Sequence, residues 1–184
     1  MKRVSMLILG AVLFFGSATA FTDDGGARIR VRLSGYQETP VALSTPGNGR
    51  FVARINDDAT EIDWELSYGD LEGTVTQAHI HFGARGQSGG VSVFLCTNLG
   101  NGPAGTQACP ASAPASNPVK GVATASSVIG PAGQGIAAGE FAELIAAIRA
   151  GVAYANVHST KYPGGEIRAQ FPPAENEQGH DHHH

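Results

Sequence analysis

The feature that most constrains this chain is a period of two. From Glu61 to Tyr68, Ile62, Trp64 and Leu66 fall on one side while Glu61, Asp63 and Glu65 fall on the other. Such alternation fits a half-buried β-strand, whereas a helix would carry the charges around its whole circumference. The same pattern sets Ile29, Val31 and Leu33 against Arg28, Arg30 and Arg32, giving a strand from Arg28 to Gly35 with a solvated basic face. It also sets Ile167, Ala169 and Phe171 against Glu166, Arg168 and Gln170. Further strands are predicted at 49–56, 75–82, 91–96, 119–126 and 152–158, separated by turn residues such as Asp57-Asp58-Ala59 and Pro163-Gly164-Gly165. One segment departs from this period. In Glu140 to Ala150, Phe141, Leu144, Ile145 and Ile148 form a helical stripe, with Glu140 and Glu143 early, Arg149 late and Gly151 at the stop. About eight short strands and one helix predict an all-β antiparallel sandwich or barrel with one short inserted helix.

Residues 1–20 read as a signal peptide. Lys2 and Arg3 precede the apolar run Leu7 to Phe15, and Ala18-Thr19-Ala20 supplies a cleavage site. The run is shorter than the roughly 20 residues that span a bilayer, and nothing downstream suggests a membrane span after cleavage. Residues 21–27 form a leader, and a periplasmic or secreted location is expected. Two cysteines, Cys96 and Cys109, suit one disulfide in an oxidising compartment, worth about 3 kcal/mol on the chain-entropy view. A thiol metal site or redox pair is the other reading, without a Cys-x-x-Cys spacing to support it. The segment Thr97 to Pro118, rich in Gly, Ala, Pro and Asn, is an irregular excursion around that bond. The formal charge is −4 and no cluster of Lys or Arg is expected, which argues against nucleic acid as a partner because phosphate binding needs a concentrated positive face. Beyond Pro172-Pro173, residues 172–184 are expected to be a disordered tail. Its His180, His182, His183 and His184 form an auxiliary metal-prone element, or else a tag remnant or solvated end.

Three histidines fall inside the domain: His79, His81 and His158. His79 and His81 share one face of their strand, opposite Ala78, Ile80 and Phe82, and His158 ends a later strand opposite the parity of Ala155 and Val157. Brought together, three imidazoles with an open position suit copper first and zinc second. The alternative is a set of hydrogen-bonded structural histidines. Coordination needs neutral imidazole, so binding is expected to weaken as pH falls through about 6.5. Glu166 and Arg168 lie on the polar face near His158, as a surface pair or as groups that orient its ring. No nucleophile elbow or phosphate loop is present, and the catalytic residues, if there is an enzyme here, stay unknown.

Three ordered segments carry a family resemblance: Leu33-Ser-Gly-Tyr-Gln-Glu-Thr-Pro-Val41, Ala78-His-Ile-His-Phe-Gly-Ala-Arg-Gly86, and Ala155 to Gln170 with its Asn-Val-His and Gly-Gly-Glu-Ile-Arg. They resemble the signature segments of the CHRD domain, named after chordin, over residues 28–171. The resemblance implies an exported module and, as in chordin, an extracellular protein partner. A second likeness is to the copper–zinc superoxide dismutases, Greek-key barrels in which a His-x-His strand and a later Val-His hold copper. His79-Ile-His81 and Val157-His158 occur in that order, while no histidine lies between Phe82 and Val157 to bridge a second metal. That likeness implies a Greek-key, superoxide-dismutase-like barrel and a metal-site geometry. Two functions follow. The first is copper carriage or sequestration on three histidines, placed ahead of dismutase-like redox chemistry. The second is a metal-free extracellular interaction module of the chordin type.

Overall fold

Each alternating segment becomes a strand because burying its apolar side leaves the polar side in water. A computed structural model describes residues 27–174. The expected signal peptide, nearly all of the expected leader and the tail histidines His180, His182, His183 and His184 lie outside the described residues. The strands are β1 (Arg28–Ser34), β2 (Asn48–Ile55), β3 (Ile62–Gly69), β4 (Val75–Phe82), β5 (Gly90–Thr97), β6 (Val119–Ala123), β7 (Ala153–Ser159) and β8 (Ile167–Gln170), with one helix, α1 (Phe141–Arg149). All pairings are antiparallel, in the order β5-β4-β7-β8-β1-β2-β3-β6. After the β1-β2-β3 meander the chain crosses to form β4 and β5, then returns as β6 beside β3, a Greek-key path.

The two edge strands, β5 and β6, come within 8 Å of one another between Cα atoms, so the sheet closes into a barrel except at one seam. There the Gln107 side-chain amide donates to both Leu95 O on β5 (3.2 Å) and Lys120 O on β6 (3.1 Å). Gln107 lies inside the loop closed by the Cys96–Cys109 disulfide. Asn98 fixes that loop further, its amide exchanging hydrogen bonds with the backbone of Cys109. The Thr97–Pro118 segment is therefore tied down along its length, and Ala113 pairs with Tyr68 of β3.

The barrel interior holds Leu33, Phe51, Ile62, Leu66, Ile80, Leu95 and Ile167, with Phe51 and Phe171 stacked at 5.2 Å. The helix buries Phe141, Leu144, Ile145 and Ile148 in the same core and leaves Glu143 and Arg149 exposed. β6 stops at Ala123, short of the expected 126. Thr124 and Ser127 cap one another around a 3₁₀ turn, Ala125–Ser127, and their hydroxyls compete with the ladder. At the other end of the domain Ala174 N–H donates to Arg149 O (2.8 Å), so the chain stays docked beyond Phe171.

Candidate metal centre

The histidines stand on the outer face of β4 and β7, which a strand pattern would leave in water. They are buried all the same: His79 is 1% exposed, His81 7% and His158 5%. Ala78 and Ile80 on the opposite parity face the core as expected. In the β4–β5 ladder the register shifts between Ala78 and His79 and again between Ile80 and His81. Two irregularities flanking the first histidine re-aim side chains as a flat ladder would not. On the other side the β4–β7 register sets His79 opposite Asn156 and His81 opposite Tyr154.

One potential ligand atom from each of the three histidines lies within 4.8 Å of the others. His79 Nδ1 and His158 Nε2 are 3.2 Å apart. The far side of two rings is held by backbone. His158 Nδ1 lies 3.0 Å from Pro163 O, and His81 Nδ1 lies 3.0 Å from Gly89 O. A carbonyl only accepts, so both Nδ1 atoms carry the proton and both Nε2 atoms present lone pairs. The glycine turns after each histidine strand thus supply the carbonyls that fix the tautomers. Gly89 admits no side chain, since a Cβ would collide with the Phe82 carbonyl.

Burial, with smaller contributions from His158 and His81, pushes His79 down to about 2. Burial pushes His81 down to about 4, against the Gly89 hydrogen bond. His158 is lowered by burial as well, opposed by its bond to Pro163. All three rings are neutral at ordinary pH, and the range in which protons compete for them lies below the expected 6.5.

Glu166 and Arg168 are not a surface pair. They are 0% and 1% exposed, because loops cover the polar face of β8. Glu166 Oε1 accepts from Thr45 Oγ1 (2.7 Å) and Glu72 N–H (2.6 Å), pinning two loops, while Pro163 O holds the His158 ring. Arg168 reaches the site through a stack. Its guanidinium lies 3.7 Å over the Tyr154 ring, and Tyr154 is also stacked on His81, parallel at 4.8 Å. Arg168 also donates to Thr39 Oγ1, Ala84 O and Gln170 Oε1.

Two residues of the site were not singled out by sequence reasoning. Tyr154 lies on the same parity as His158, a signal that was available. Glu38 lies in the Leu33–Val41 segment and gives no periodic signal. It is buried beside Asn156, whose Nδ2 is 3.4 Å from Glu38 Oε2. Burial raises its carboxyl to about 7 against the pull of Asn156 and Arg168.

No curated protein and no solved structure matches the chain. The profile of the CHRD domain matches residues 29–171, from the first buried residue of β1 to the end of the core, and the chain belongs to the CHRD-domain family.

Proposed function

We propose that this chain is an exported CHRD protein that holds one transition-metal ion, copper ahead of zinc, on His79, His81 and His158. CHRD domains are typically extracellular, and the Cys96–Cys109 bond accords with an oxidising compartment. The observation that carries the reading is the convergence of three neutral imidazoles with two of their tautomers locked. The 3.2 Å between His79 Nδ1 and His158 Nε2 is close to the ~3.3 Å edge of a tetrahedron with ~2.0 Å metal–nitrogen bonds. Purely structural histidines would also make that contact as a hydrogen bond. They would leave Nε2 of His81, whose lone pair is fixed by the Nδ1–H bond to Gly89 O, buried without a partner, at about 1–3 kcal/mol. A bound ion uses lone pairs that hydrogen bonding leaves idle. Burial of all three ligands favours holding or carrying the ion over rapid turnover.

The test is copper and zinc titration of the mature chain with His180, His182, His183 and His184 changed to Ala. His79→Ala, His81→Ala and His158→Ala should each weaken binding by more than about a hundredfold, beyond what loss of a supporting hydrogen bond costs. Affinity should fall less between pH 7 and pH about 5 than ordinary imidazoles would make it, because burial holds all three histidines below their usual range. Equal affinity in parent and variants would sink the metal reading. The second reading, an extracellular protein-interaction module, is favoured by Tyr36 and Val41, 74% and 65% exposed on one loop.

A further inference from the structure

The linear sequence scatters its basic residues, and the sheet gathers them. Cross-strand register sets Arg28 opposite Arg54, and Arg32 opposite Arg50, on the outer face of β1 and β2. Arg30 heads the row between them, which runs through Val52 and Glu65 to Lys120 on β6. Six of the chain's 12 Lys and Arg residues thus share one face of a protein whose formal charge is −4. Like charges directly opposite one another destabilise a ladder, and here two such pairs flank the Arg30 row. Among the described residues, Arg28, Arg30, Arg32, Arg50 and Lys120 hold no ion pair.

The face is also concave. One groove of about 500 Å³ runs between Arg28, Arg54 and Val122, and a second of about 1040 Å³ between Arg32, Arg50 and Ser112. Arg30 borders both, and residues 112–115 of the disulfide segment form a wall of the second. The result is a trough with rows of cations about 7 Å apart along the strands.

We propose that this trough binds an anionic polysaccharide, a sugar polymer carrying carboxylate or sulfate groups. The cations match the acidic groups. Asp63 and Glu65, exposed in two of the three rows, supply acceptors for sugar hydroxyls. The same carboxylates repel a nucleic acid, whose phosphates are uninterrupted and whose hydroxyls are few. A membrane surface would call for apolar anchors among the cations, and Val122 is the one exposed large apolar side chain lining the trough.

The experiment measures binding of the full mature chain to alginate, uncharged dextran, duplex DNA and phosphatidylglycerol vesicles. Alginate should bind and dextran should not, with affinity falling about tenfold between roughly 50 and 200 mM salt. Arg30→Glu with Arg50→Glu should abolish binding, and Arg30→Lys with Arg50→Lys should keep most of it, with melting no lower than the parent's in both. Asp63→Asn with Glu65→Gln separates sugar recognition from bare charge attraction. Alginate affinity should fall although positive charge rises, while DNA affinity should grow. Alginate binding that strengthens in that variant, or DNA or vesicles bound by the parent more tightly than alginate, would overturn the proposal. So would alginate binding that survives the double charge reversal.

Discussion

At the scale of single residues, the site is governed by burial of groups that prefer water. The histidines and Glu38 respond to it with opposite slopes in pH. Folded His79 and His81 protonate only near 2 and 4, whereas unfolded histidine takes up a proton near 6.5. Below pH 6.5 the unfolded chain therefore binds more protons and stability falls. Glu38 keeps its proton up to about 7 when folded, against an ordinary value of 4.5. Its contribution is fully present below 4.5 and is lost as pH rises through 7. Glu38→Gln removes that loss. Relative to the parent, the variant should gain up to about 3 kcal/mol between pH 4.5 and 7.5, read from denaturant midpoints across that range. Parallel curves for parent and variant would show that the Glu38 carboxyl titrates as in water.

At the scale of elements, the helix and the disulfide loop are not strands, yet both belong to the barrel. Ile145 is 2% exposed within the core cluster, so Ile145→Ala should cost about 2–5 kcal/mol in chemical unfolding. A loss below about 0.5 kcal/mol would mean the helix rests on the surface. Replacing Cys96 and Cys109 together with Ser should cost about 3 kcal/mol by the same measurement. That loss should exceed the effect of Gln107→Ala, which removes the seam bonds and leaves the loop closed. Equal losses would put the weight of the loop on one amide.

At the scale of the molecule, the strands were legible because their periodicity is local. β1, β4, β7 and β8 run within a residue or two of where alternation puts them, and the parity of Ile167 against Arg168 holds. The face that each parity meets was less legible. Alternation says that His79, His81, Glu166 and Arg168 point away from the core. It does not say that the loops after β1, β4 and β7 fold back over them. The convergence of His158 on His79 depends on β7 pairing with β4, a contact across 79 residues that no local pattern encodes. The same limit hid the extent of the basic face: alternation puts Arg28, Arg30 and Arg32 on one side of β1, but the expected absence of a basic cluster fails because register with β2 adds Arg50 and Arg54.

The seam has a consequence for how molecules of this protein meet one another. A fully laddered barrel offers no free strand edge, but β5 and β6 each have one side without a partner strand, on β5 met only in part by loop backbone at Ser92 and Thr97. Where Gln107 bonds to Leu95 and Lys120, it occupies carbonyls that a foreign strand would otherwise take. The guard against templated self-association thus hangs on a loop whose ends are joined by sulfur. Reduced protein should fail first by chain-to-chain accretion, seen as light scattering at temperatures where the monomer's circular dichroism is still that of a folded barrel.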